Sequence, residues 1–128
     1  MTRDEFVQRL IVNSMCDDFE NVDQVILRDV AEVAAKCGMT VERSEVVQNL
    51  RTLVEAGLVK AYDLAAATGD PFESELDVMP PLDVPEAYFR TYFYPTQKGM
   101  DWHKADRRWW PLDDDDVLRP DWNPSLIR

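Results

Sequence analysis

Side chains able to do covalent or acid–base chemistry are few in this sequence, and they are scattered. His103 is the sole histidine, which excludes a histidine metal cluster and a two-histidine relay; one imidazole on a helix is read as packed or solvent-facing. Cys16 and Cys37 fall in separate helical patterns with no metal-type spacing, as suits a reducing compartment, and neither has a base near it in sequence. Asp113 to Asp116 are consecutive carboxylates, but no glycine follows at the turn a calcium loop requires and no glutamate closes it. The glycines, at positions 38, 57, 69 and 99, are too dispersed to cradle a phosphate. No catalytic residue, metal or cofactor is therefore expected, and the chain is not read as an enzyme.

What remains is recognition chemistry, in two places. Gln48 and Asn49 carry amides that can pair bidentately with adenine, and Arg51 can read guanine or bind phosphate. Stepping 100° per residue from Leu50 as the buried direction puts Ser44, Gln48, Arg51 and Thr52 on the outward half of one helix, with Asn49 toward its edge. Glu45 and Glu55 share that face and oppose any phosphate. The second place is a basic and aromatic stretch in which Arg90, Lys98, Lys104, Arg107 and Arg108 alternate with Tyr92, Tyr94, Trp102, Trp109 and Trp110. The neighbouring aspartate run offers it an internal counter-charge.

These groups must be positioned by a chain of 128 residues, the size of one domain with a real core. Asp and Glu number 25 against 14 Lys and Arg, for a net charge of −11, which disfavours loose attraction to nucleic acid or to anionic membrane. With 45% apolar residues and no long apolar run behind MTRDEFVQRL, the sequence reads as globular, cytoplasmic and without a membrane partner. Thr2 with Glu5 is a capping-box pattern, followed by Phe6, Leu10, Ile11 and Met15 at helical spacing. Val30, Val33, Ala34 and Cys37 define a second helix closed by Gly38. Ahead of it, Asn21 with Gln24 can cap a longer helix, or Gln24 to Leu27 can be a short β-branched strand; the strand is preferred.

Thr40 is the expected N-cap of a third helix that carries Val46, Val47, Leu50, Leu53 and Val54 and stops at Gly57. A strand is expected over 58–64, a long proline-containing loop over about 65–86, and a strand over 88–94 with Phe89, Thr91 and Phe93 on one face. A final helix is expected over 97–110, ended by Pro111, with an extended acidic tail over 111–128 that packs through Trp122, Leu126 and Ile127. Only Phe6 and Phe19 supply aromatic rings in the first 60 residues.

The order of these elements resembles the winged helix-turn-helix fold. Gly38-Met39-Thr40 resembles its tight turn, and the run from Val46 to Val59, ending Glu55-Ala56-Gly57-Leu58-Val59, resembles a recognition helix entering the first wing strand. Tyr92 to Met100, with Thr96-Gln97-Lys98-Gly99, resembles the second wing strand and the start of the last helix in small bacterial transcriptional regulators. The resemblance implies an α+β, mainly α fold over residues 1–110: a three-helix core, a small antiparallel wing and a C-terminal helix. It implies a DNA-binding regulator that meets duplex through Ser44, Gln48, Asn49, Arg51 and Thr52. Trp102, Trp109, Trp110 and Trp122 are the candidate interface, for instance of a homodimer. The loop departs from that pattern, since Asp63, Asp70, Glu73, Glu75, Asp77, Asp83 and Glu86 face no lysine or arginine between Ala61 and Glu86. The alternative is an acidic winged-helix module that binds a basic protein and no DNA.

Overall fold

The computed structural model describes residues 1–65 and 69–127. Residues 66–68 of the long loop and Arg128 of the tail lie outside the described residues. The fold is α+β: five α-helices and a two-stranded antiparallel sheet are found among the described residues.

Helix α1 (Arg3–Ser14) starts as the capping pattern implies, the Thr2 hydroxyl accepting from the Glu5 N–H at 3.1 Å. Phe6, Val7, Leu10, Ile11, Val12 and Met15 are buried, a stripe so wide that α1 is covered on several sides, by α2 (Leu27–Lys36), α3 (Arg43–Glu55) and α5 (Gln97–Ala105). The strand preferred over Gln24 to Leu27 is not formed. Asn21 is buried and its side-chain oxygen accepts from the Gln24 N–H at 2.8 Å, so the capping alternative prevails and a π-turn, Val22–Ile26, runs straight into α2. Strand-like pairing survives one residue earlier, where Glu20 and Phe93 exchange two backbone hydrogen bonds.

Helices α2 and α3 end in the same way. Gly38 and Gly57 both adopt φ of +75°, and the Met39 and Leu58 N–H groups reach back to the Ala34 and Leu53 carbonyls. This is the Schellman closure, which needs a residue tolerant of left-handed backbone. Thr40 is not the N-cap of α3: Glu42 holds that position without a side-chain cap, and the Thr40 carbonyl accepts from the Arg3 guanidinium instead.

Strands β1 (Val59–Asp63) and β2 (Thr91–Pro95) pair from Val59↔Pro95 to Asp63↔Thr91, turning Val59, Ala61, Thr91 and Phe93 toward the helices. β2 is shorter than the alternation from Tyr88 predicts, because Pro85 pre-sets a helical turn, α4 (Pro85–Tyr88), and the Thr91 hydroxyl donates to the Ala87 carbonyl. Phe89 is thereby turned out to solvent. α5 stops at Ala105, five residues earlier than expected. The Asp106 carboxylate takes the Arg108 N–H and guanidinium, and Pro111 disfavours helix at Trp110. The expected extended tail instead folds back on itself: Leu112 bridges Leu118, with Asp116 at φ +59° in the turn, and Trp122 is buried against Phe6.

One junction ties these pieces together. The Lys98 ammonium donates to the Ala56 carbonyl, the Thr96 hydroxyl to the Gly57 carbonyl, and the Thr96 N–H to the Leu58 carbonyl. The Thr96 hydroxyl oxygen also caps α5 by accepting from the Gly99 N–H. Gly99 lies so close to the Leu58 carbonyl oxygen that a Cβ there would overlap it. Gly99→Ala is therefore expected to cost about 2–3 kcal/mol and lower the thermal midpoint by several degrees, as a melt followed by circular dichroism would measure. An unchanged midpoint would mean the junction is looser than described.

Candidate interaction surfaces

Helix α3 meets solvent along a narrow polar row. Ser44, Gln48 and Thr52 are exposed, and the Thr52 hydroxyl donates to the Gln48 carbonyl at 3.2 Å. Arg51 is half-buried and bonds to nothing. Asn49 does not face outward at all, being 4% exposed. Its carbonyl accepts from the Gln8 side chain at 3.0 Å, and its amide nitrogen donates to the Glu45 carbonyl at 3.0 Å and to the Asp4 carboxylate at 3.3 Å. The spacing Val46, Asn49, Leu50, Leu53 is the helical stripe that marks this orientation, and it is α1 that covers it. Glu45 receives two bonds from Arg3, at 2.7 and 2.9 Å, which hold its carboxyl below the usual carboxylate range. Arg43 is held by Asp23 at 2.7 Å and by the Leu82 carbonyl at 2.8 Å.

The tryptophans divide into two kinds. Trp109 and Trp122 are buried on Phe6, at centroid distances of 6.3 and 5.7 Å, so they build this chain's own core. Trp102 and Trp110 are half-buried and flank a stack of cations. The Arg9 guanidinium lies 4.5 Å from the Trp102 ring and 5.7 Å from Trp109, and Arg107 lies 5.4 Å from Trp109 and 5.3 Å from Trp110. Trp102, Arg9, Trp109, Arg107 and Trp110 thus alternate cation and ring. Apart from Lys104, the basic cluster is engaged within the chain, and not by the aspartate run: Arg90 pairs with Asp63, Arg108 with Asp106, and Lys98 with the α3 terminus. The run meets α2 instead, where Lys36 donates to the Asp116 carbonyl at 2.6 Å.

His103 closes the stack, its Nε2 2.8 Å from the Arg107 guanidinium. Burial, with Arg107, Arg9 and Lys104 nearby, lowers its pKa to about 4. Cys16, on the adjoining surface, is a free thiol whose pKa burial raises, and Cys37 is likewise free and raised. Neither is poised as a thiolate.

The long loop is not uniformly uncompensated. Asp63 pairs with Arg90 at 2.8 Å, and Glu75 pairs with Lys60 at 2.8 Å across the Tyr62↔Glu75 bridge that lays the loop along β1. Glu73 and Asp77 remain exposed and unpaired. Between loop and sheet lies an aromatic group that the sequence did not single out: Phe19 stacks on Tyr94 at 4.7 Å and meets Tyr62 and Phe72 edge-on at 5.0 and 5.1 Å. A lone phenylalanine in the polar loop after α1 was the available signal. Beside it opens a cleft of about 450 Å³ lined by Asp18, Phe19, Pro71, Phe89, Arg90 and Tyr92.

Among the described residues, no helix is long and apolar enough to cross a membrane. Comparison with known protein families, with curated proteins and with solved structures finds no match for this chain.

Two measurements follow from this geometry. Asn49→Ala leaves the Gln8 and Asp4 partners unmatched between α1 and α3 and should cost about 1–2 kcal/mol in urea unfolding. For His103 the unfolded imidazole titrates near 6.5 and the folded one near 4, so between those values the unfolded chain binds more protons. Stability from the neutral ring is complete above the unfolded pKa and is lost as pH falls toward the folded one. Because His103 lines an open cleft with Cys16, Met100 and Arg107, solvent screens it and the loss is expected at about 2 kcal/mol, below the full linkage value. His103→Gln should remove that part of the decline between pH 6.5 and 4; a variant that falls as steeply as wild type would refute the assignment.

Proposed function

We propose that this chain is a winged-helix module that engages a basic protein partner and does not read duplex DNA. The fold part is supported by the succession of three helices, strand, long loop, strand and helix, and by the Gly38 turn between α2 and α3. It is also supported by the contact of Thr96, Lys98 and Gly99 with Ala56 to Leu58, which explains why those two strings occur together.

The observation that carries the partner class is the shortage of free cations. Among the described residues, Arg51 and Lys104 alone of the lysines and arginines make neither an ion pair nor a hydrogen bond. Duplex binding draws its affinity from several cations set against phosphate, and here most of them would have to leave a carboxylate or carbonyl first. The loop that would flank the duplex presents Glu73 and Asp77 instead. A second reading, a DNA-binding transcriptional regulator, is favoured by one observation: exposed Ser44, Gln48 and Thr52 stand beside unpaired Arg51 on α3. Homodimer contact through indoles would draw on Trp102 and Trp110, since Trp109 and Trp122 are buried.

Electrophoretic retardation separates the readings. Random-sequence duplex should not be retarded even at about 50 mM salt, where phosphate contacts are strongest. Capture from nuclease-treated lysate of the source cells should recover a protein that the double variant Glu73→Gln, Asp77→Asn loses. Salt-sensitive retardation that Arg51→Ala weakens would overturn the proposal in favour of the regulator.

A further inference from the structure

We propose that the cleft beside Phe19 receives an arginine side chain from an exposed basic segment of the partner protein. This rests on the protein-binding reading above and names its site and its chemistry. Three observations carry it. First, the cleft is lined by three aromatic side chains and a proline ring, those of Phe19, Tyr92, Phe89 and Pro71, with Phe89 62% exposed. Second, the cation in the wall is already neutralised, because Arg90 donates to both oxygens of Asp63, at 2.9 and 2.8 Å. The charge left to the cleft is that of Asp18, exposed at its mouth with one oxygen accepting from the Phe19 N–H at 2.7 Å. An aromatic slot with one unmatched carboxylate selects a cation.

Third, the chain holds its own guanidinium groups in this manner. Arg43 lies 5.3 Å from the Tyr88 ring, next to Phe89 in sequence, while Asp23 takes two of its hydrogen bonds. Arg9 lies over Trp102 while Glu5 accepts from it. In the Phe19 cleft the rings and the Asp18 carboxylate are present, and the one guanidinium in the wall, that of Arg90, is committed to Asp63. Arginine is preferred to lysine because its planar group can stack on a ring and still present donors in-plane to Asp18.

Fluorescence anisotropy of a fluorescein-labelled peptide of alternating arginine and glycine, titrated with the full chain at physiological ionic strength, tests the inference. Phe89→Ser and Asp18→Asn are each expected to weaken binding about tenfold, the first without changing the charge. Asp114→Asn makes the same charge change in the distant tail and should stay within about twofold of wild type. The citrulline version of the peptide, which keeps the shape and loses the charge, should not bind. Equal weakening by Asp18→Asn and Asp114→Asn, or full affinity in Phe89→Ser, would reduce the effect to general attraction toward an acidic chain and overturn the cleft assignment. So would the absence of peptide binding to wild type. Neither result touches the protein-binding reading, which stands or falls on duplex retardation and lysate capture.

Discussion

Three consecutive carbonyls, those of Ala56, Gly57 and Leu58, are the point on which the architecture turns. Helix α3 must end there, and its last carbonyls have no helical partner. The Schellman closure reverses the chain, and Thr96 and Lys98 then supply three donors to these oxygens. Because Thr96 also caps α5, the end of one helix and the start of another share a single side chain, and Val59 is set opposite Pro95. The register of a two-stranded sheet, weakly specified on its own, is thus fixed by helix termini at its open end. Gly99 is the steric condition for this approach, since a side chain there would displace the Leu58 carbonyl.

The same junction shows what could be read from sequence. The helices announced by caps and stripes, Thr2 with Glu5 and the pairs closed by Gly38 and Gly57, are where they were expected, because local chemistry alone determines them. Several of the differences arise from local side-chain effects on the backbone. Asn21 converts an apparent strand into a helix entry, Asp106 ends α5 early, and Pro85 shortens β2. Strand periodicity carries none of this information. At the candidate site, Gln48, Ser44 and Thr52 were placed correctly on the outer face of α3. Asn49, expected toward the edge of that face, is instead buried, because it lies beside Leu50 on the stripe that α1 covers. The Phe19 cleft was illegible for another reason: its walls come from five separate places along the chain, joined only by the folded loop.

Charge illustrates the difference between a sum and an arrangement. A net −11 leaves open where the excess lies. The structure matches most cations one by one with carboxylates or carbonyls: Arg3 with Glu45, Arg43 with Asp23, Lys60 with Glu75, Arg90 with Asp63. Such half-exposed pairs add little to stability. Their effect is on recognition, because each one removes a cation from the surface and leaves the surplus carboxylates of the loop and tail to set the field.

The tryptophan-rich C-terminal stretch has the composition of a nucleic-acid-binding surface, and its packing argues against that use. Base stacking requires an exposed ring face, and phosphate contact requires a free guanidinium. Here Arg9 and Arg107 lie against the rings of Trp102, Trp109 and Trp110, which occupies ring faces that a base would need. His103 stays neutral mainly because it is buried, and the nearby charges of Arg107, Arg9 and Lys104 add to the effect. With this stack closed and the amide of Asn49 engaged by α1, the aromatic surface still open among the described residues lies on the other side of the sheet, around Phe72 and Phe89, where the unmatched charge is negative. A surface of that sign and shape is complementary to a cation on a protein, and a phosphate backbone would be repelled from it.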